Sequence, residues 1–408
     1  MQNRIVRQYY VLSALFSVGG LSLISATYVT FLQQNGLNLL QVNLVNMVFY
    51  LTLFICEIPT GAFADIFGRK TSFMAACGLT SLGMITYGCV HTFAGFVLAE
   101  TILAVGMTFR SGAFQAWLVD SLKHQGYDGE FRRIFARESI IRQICGGIGA
   151  VVGSYYLATT NQALPWFTGG VLMAVTTVLV YFTMKEEYFV RSSFSWKKGF
   201  TSMRNITVSS IRYGMNHRSV RFVLFITGIQ IFAVQALNMY WQPLFREYGM
   251  GKQYLGFIFA GIMGATALGA WIISKTKCVG KEKQMIMWSQ ICTGVLVLVT
   301  VSVSGLPFII IIFLLHEVPR GCLGPLIDSY IQKRIPSKER ATITSFCAIA
   351  PHIGGAFGLV LSGLVAQRFG IPVAWIVSAV FLIVGTLLVA KNGRNHSGHD
   401  HKGGVSSD

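Results

Sequence analysis

Charge is scarce in this chain, and acidic charge is scarcest. Only 12% of the 408 residues are Asp, Glu, Lys or Arg, with 16 acids against 33 Lys and Arg. A soluble domain carries about twice that charged share, so a water-exposed globular fold is excluded. The eight cysteines include no CxxC pair, which removes the usual zinc and disulfide frameworks. No phosphate-binding GxxxxGK[ST] segment occurs, so nothing points to ATP as an energy source. No nucleophile-and-base arrangement or paired-aspartate site stands out, which argues against an enzyme, and no cofactor is expected.

What is present is apolar. Hydrophobic residues make up 53% of the chain and the mean hydropathy is +0.57, values suited to a lipid bilayer as solvent. A scan for apolar runs of roughly 20 residues gives twelve candidate spans: 10–33, 41–62, 71–91, 94–119, 137–160, 166–184, 220–245, 254–274, 285–304, 307–331, 342–367 and 371–390. The first run is too long for a signal-peptide core and is expected to remain as a helix. The predicted fold is therefore all-α and integral to the membrane.

A net charge of +17 could suggest nucleic acid, and its placement decides otherwise. Threaded through the spans with the N-terminus inside, Lys and Arg crowd the inner segments, whereas the outer loops offer only Arg246, Lys252 and Arg368. That asymmetry is the positive-inside pattern, with both termini cytoplasmic and the plasma membrane as location. The partners implied are lipid and a small molecule, with no nucleic acid.

The chain echoes itself. Residues 28–37 (YVTFLQQNGL) correspond to 240–250 (YWQPLFREYGM), and Arg110 to Ser121 pairs with Arg320 to Ser329, ending on Asp120 and Asp328. Each second echo leads through a basic loop into a glycine-dense helix, with Gly146, Gly147, Gly149 and Gly153 in one half and Gly354, Gly355, Gly358 and Gly363 in the other. Gly147 and Gly149 could suggest a dinucleotide loop, but no strand precedes them and close helix packing is the reading. All offsets are a little over 200 residues, the mark of a duplicated six-helix bundle. The expected organisation is a first bundle over 1–184, a basic cytoplasmic linker over 185–219 and a second bundle over 220–391. A solvated tail follows over 392–408, whose His396, His399 and His401 are not expected to hold a metal.

Between the second and third spans lies Glu57-Ile-Pro-Thr-Gly61-Ala-Phe-Ala-Asp65-Ile-Phe-Gly68-Arg69-Lys70. Its Gly-x3-Asp-x2-Gly-Arg-Lys spacing resembles the signature loop of the major facilitator superfamily, and with the repeat the resemblance covers essentially the whole chain. Residues 335–345 (IPSKERATITS), including Arg340, are similar to the family's inner loop before the eleventh helix. The second copy of the signature, over 275–281, has lost its acid. The resemblance implies two parallel bundles rocking about a central site. It also implies a gate in which Asp65 faces the eleventh helix's N-terminus, starting near Ala341, while Arg69 pairs with Asp120. Glu57, one turn earlier, belongs with this gate.

Ionisable residues inside the spans are Glu57, Glu100, Arg110, Arg142, His316, Glu317, Arg320 and His352. Each is costly in hydrocarbon and is a functional candidate by default. Proton coupling is expected from Glu317, Arg320, Arg110 and Glu100, with Glu317 the first choice for carrier; a plain structural ion pair between Glu317 and Arg320 is the competing reading. If the family's cavity-lining pattern holds, substrate contacts come from Tyr28, Phe114, Gln115, Gln230, Gln235, Asn238, Tyr240, Trp241 and His316. The amides and aromatics of the seventh span cannot all share one face at 3.6 residues per turn. The resemblance is greatest to bacterial drug:proton antiporters acting as efflux pumps, although the fifth helix lacks their usual Gly-Pro pairing. A proton-coupled uptake symporter or facilitator of a polar metabolite is the alternative, and a sensor with the same fold a third reading. A monomer is expected.

Overall fold

The computed structural model describes residues 2–186, 217–276, 280–334 and 351–392, nearly all of them helical. The first half comprises α1 (Gln2–Ser25), continued after a break as Tyr28–Gln34, then α2 (Leu39–Phe67), α3 (Arg69–Cys89), α4 (Phe93–His124), α5 (Phe131–Val151) and α6 (Leu164–Thr183). The second comprises α7 (Arg218–Glu247), α8 (Leu255–Lys275), α9 (Glu282–Ser302), α10 (Leu306–Arg334), α11 (Pro351–Phe369) and α12 (Ile371–Asn392). Ten of the described helices are long and apolar enough to cross a membrane. The expected fifth and eleventh spans are not among them. Arg132, Arg133, Arg137, Glu138 and Arg142 crowd the first half of α5, and α11 is described only from Pro351. The expected linker lies almost wholly outside the described residues, as do Arg340, the start of the eleventh helix and the histidine tail.

Local sequence explains the helix ends. Asn38 and Gln41 cap α2 reciprocally, Gln41 N donating to Asn38 Oδ1 at 2.9 Å and Asn38 N to Gln41 Oε1 at 3.1 Å. α4 breaks where Gly112 takes φ +71°, just after Arg110.

The glycine-dense helices do the same job in both halves. A Cβ on Gly153, in the segment Val152–Leu157 that continues α5, would sit 1.8 Å from the Leu23 carbonyl oxygen of α1, and one on Gly358 of α11 would sit 2.4 Å from that of Phe232 in α7. Each helix thus lays its backbone on the first helix of its own half, a contact that small residues permit. The same kind of contact occurs in both halves.

The halves meet along two seams, α2 with α11 and α5 with α8. The hydrogen bonds between the halves, along these seams and between α7 and α1, cluster at the end of the molecule opposite the Gly68 turn. Gln242 Nε2 donates to Ser25 O (2.9 Å), and Val29 N donates to Gln242 Oε1 (3.0 Å). Asn43 Nδ2 reaches Leu359 O (2.7 Å) and Ser362 Oγ (3.0 Å). Ser154 Oγ accepts from Gly256 N (3.0 Å) and donates to Gln253 O (3.2 Å).

Candidate functional site

Beneath that seal a cavity of about 450 Å³ lies between the halves, with walls from α1, α2 and α4 on one side and α7, α8 and α10 on the other. Most of its surface is apolar, including Phe49, Trp241, Phe259 and Phe313. Its polar groups gather in two poles, one per half.

The pole of the first half is Glu100, on α4 and only 4% exposed. Tyr87 of α3 donates its hydroxyl to Glu100 Oε2 in a very short hydrogen bond, and Asn46 Nδ2 of α2 stands 3.5 Å from Oε1. Tyr87 is itself fixed by stacking on Trp166, with ring centroids 4.1 Å apart, and Tyr28 packs edge-on against it. No cation is among the partners of Glu100 in the described residues. It is a buried carboxylate held by neutral donors.

The pole of the second half is a network on α10. Arg320 Nη1 donates to Glu317 Oε1 at 2.8 Å, and Nη2 to Asn238 Oδ1 at 2.9 Å. His316 Nε2 lies 3.4 Å from the same Glu317 oxygen. Glu317 is 2% exposed, and its second oxygen, Oε2, is buried without a hydrogen-bond partner. Pro319 and Pro325 interrupt the backbone ladder of α10 around this network. Ser289 of α9 donates to the Pro319 carbonyl.

The structure sorts the residues expected in the cavity. Tyr28, Asn238, Trp241, Glu100, Glu317 and Arg320 line it. The others do not. Phe114 stacks between Phe73 and Tyr9 inside the first bundle, and Gln115 is an exposed residue of α4 outside the cavity lining. Gln230 and Gln235 lie on other faces of α7, Gln235 against the backbone of Gly355. Tyr240 is fully buried in a core cluster that spans the two halves, beside Ser362 and Asn43. The His316 ring is fully buried against Phe313, and its Nδ1 meets the Phe313 carbonyl.

Arg110 is also absent from the cavity, so its expected place in coupling is not supported by contact with the other candidates. Its guanidinium lies 4.7 Å from the Phe16 ring centroid, beside the buried Glu138. Glu138 accepts from Ser13 Oγ at 2.6 Å and stands 3.9 Å from Arg142 Nε. Sequence reading missed Glu138, as it did Asn46 and Tyr87. Glu138 falls at the start of the predicted fifth span, and its place as an acid among Arg132, Arg133, Arg137 and Arg142 was the available signal.

At the loop end, Arg69 Nε lies 2.8 Å from Asp120 Oδ2, both side chains partly exposed. Asp65 is exposed on the last turn of α2, and the helix start it was expected to face lies outside the described residues. Glu57 accepts from Ser111 Oγ at the break in α4. Gly61 is exposed with open space where a Cβ would be.

The turn itself is held by a residue the sequence did not flag. Glu186, just after α6, accepts from the backbone N–H groups of Arg69 (2.8 Å) and Lys70 (3.0 Å) at the N-terminus of α3. A carboxylate there satisfies two free donors and meets the positive end of the helix dipole. Trp117 Nε1 donates to the carbonyl of Lys185 and Lys70 Nζ to that of Tyr181, which fixes this stretch of chain against the turn.

A family model described as Major Facilitator Superfamily matches residues 10–281 and 223–402. An uncharacterised MFS-type transporter, YxaM of Bacillus subtilis (strain 168), is 24% identical over 388 residues, covering 93% of this chain and 94% of that protein. Another, MJ1560 of Methanocaldococcus jannaschii, is 22% identical over 375 residues, covering 91% and 93%. Among solved structures, the nucleoside transporter NupG superposes with a TM-score of 0.74 at 15% identity, over 96% of this chain and 99% of that one. A bacterial homologue of the human lysosomal transporter Spinster, in an inward-facing and unoccupied conformation, gives 0.77 at 13% identity, over 96% and 97%. At such identities the structural likeness shows the fold.

Proposed function

The chain belongs to the major facilitator superfamily and is a multi-pass membrane transporter, and from that premise we propose that it exchanges protons for a small amphipathic substrate by alternating access. The proposed setting is the plasma membrane, with the Gly68 turn cytoplasmic and the substrate exported. The observation that carries this reading is Glu100: a carboxylate buried in the wall of the central cavity and held by neutral donors, Tyr87 and Asn46 with Tyr28 beside them. A charged form in such a place is costly, so its proton is exchanged when the cavity opens to water.

The proton role passes from Glu317 to Glu100 because Arg320 already compensates the charge of Glu317. Proton and substrate share one cavity with one uncompensated acid. Loading one disfavours the other, and that competition favours exchange over co-transport. The apolar and aromatic walls with a few placed polar groups suit an amphipathic ligand. The uptake reading is favoured by one observation, that the Glu317–Arg320 pair presents both signs of charge to a ligand, as a polar metabolite would use.

Proteoliposomes carrying a pH-sensitive dye in the lumen test the proposal. With the parent protein, substrate movement is expected to drive protons the opposite way. Glu100→Gln is expected to abolish gradient-driven flux while retaining substrate-for-substrate exchange. Unaltered coupled flux in Glu100→Gln refutes the assignment, and proton movement in the same direction as substrate replaces exchange with symport.

A further inference from the structure

The polar demands of the second pole leave one oxygen over. Arg320 spends Nη1 on Glu317 Oε1 and Nη2 on Asn238 Oδ1. Asn238 Oδ1 is thereby taken, and Glu317 Oε1 is shared between Arg320 and His316. Two atoms of this pole are buried with no hydrogen-bond partner, His316 Nε2 and Glu317 Oε2, and of the two only Glu317 lines the cavity, on a side chain that is 2% exposed. Buried acceptors are nearly always satisfied, and one left unpaired carries a desolvation penalty. Arg320 turns one N–H of each terminal nitrogen to a protein acceptor, Glu317 Oε1 and Asn238 Oδ1, and none reaches Oε2. What that oxygen lacks is a donor.

We infer that Glu317 Oε2 accepts a hydrogen bond from the substrate, and that the cavity selects an amphiphile carrying an N–H donor beside an apolar ring. Trp241, Phe313 and Phe259 line the same cavity. A ring against these faces places a neighbouring nitrogen group at the α10 network. Water can serve the same oxygen when the cavity is empty. The gain on binding therefore comes from a ligand that replaces this donor and also covers the aromatic wall. Arg320, Asn238 and His316 act as positioning residues, holding Oε1 so that Oε2 is the oxygen presented. The inference rests on the transport reading of this cavity, but not on protons.

The test is a methylation series measured by calorimetry on the purified full chain: 2-phenylethylamine and its N-methyl, N,N-dimethyl and N,N,N-trimethyl derivatives. All four are cations with the same ring, and each step adds one methyl. Only the last removes the final N–H. The expected result is a small change over the first two steps and a loss of about tenfold at the third, the size of one buried hydrogen bond left unmade. Glu317→Gln is expected to flatten that last step, and 3-phenylpropionate, an anion with the same ring, is expected to bind weakest.

A gradual slope across the series, equal affinities, a final step that persists in Glu317→Gln, or no binding of any amine up to millimolar concentration would each overturn the inference. The series on the parent protein needs no variant, so a misfolded Glu317→Gln does not spare the idea. Failure of proton exchange in the Glu100→Gln experiment leaves the result of this series unaffected, so the two readings fail separately.

Discussion

Replacing Gly68 by alanine is expected to damage the protein far more than the loss of two hydrogens suggests. Gly68 takes φ +93° and ψ 155°, a region that only glycine occupies readily, so any other residue there carries roughly 1–3 kcal/mol of strain. The added methyl would also sit 2.6 Å from Glu186 Oε2, displacing the carboxylate that caps Arg69 and Lys70. Hydrogen bonds to a charged group contribute about 1.5–3 kcal/mol each, with the low end suited to this partly exposed site. Weakening that cap and straining the turn together cost about 3–5 kcal/mol. Gly126→Ala is the control, because Gly126 also has positive φ, +68°, but has open space around it. Its cost is only about 1–2 kcal/mol. Unfolding in mixed micelles measures both. The decisive comparison is Glu186→Ala alone and combined with Gly68→Ala: since both remove the same cap, the double variant should fall short of the sum by more than about 1 kcal/mol. A Gly68→Ala no worse than Gly126→Ala, or strict additivity, refutes the account.

Two further perturbations address the seams and the repeat. Gln242→Ala removes both bonds to Ser25 and Val29 and leaves the buried Val29 N–H unpaired, a loss of about 1–3 kcal/mol. It should raise the labelling of cysteines placed at that end of the cavity by about tenfold, and unchanged labelling would count against the seal. Gly153→Ala should lower the thermal midpoint strongly, because its methyl would overlap the Leu23 carbonyl. The equivalent Gly358→Ala should act in the same direction, and tolerance of both would show that the backbone contacts are not needed.

The fold was legible because its signals are repetitive and local: apolar runs of spanning length, inner cations, and polar landmarks recurring a little over 200 residues apart. The Arg69 to Asp120 proximity came with the family resemblance. The depth of Glu100 and Glu317 could be read from their apolar context. Rotation about each helix axis could not. Asn238, Trp241 and Gln242 share one face of α7 at helical spacing, whereas Gln230, Gln235 and Tyr240 do not join them, and sequence periodicity cannot say which face meets the cavity. The same limit misplaced His316, one residue from Glu317 and turned into the core. Partnerships between distant segments were invisible for a different reason. Glu186 and Arg69 are 117 residues apart, and Tyr87, Asn46 and Glu100 come from three helices, so only the assembled bundle brings them together.

The seal opposite the Gly68 turn is made by amides, hydroxyls and main-chain atoms, without a formal charge among its bonding partners. The turn, by contrast, depends on Arg69, Lys70, Asp120 and Glu186. Ionic strength weakens exposed charge pairs and leaves neutral contacts nearly untouched. The two ends of this transporter therefore answer to different variables, one deaf to electrolyte and the other tuned by it.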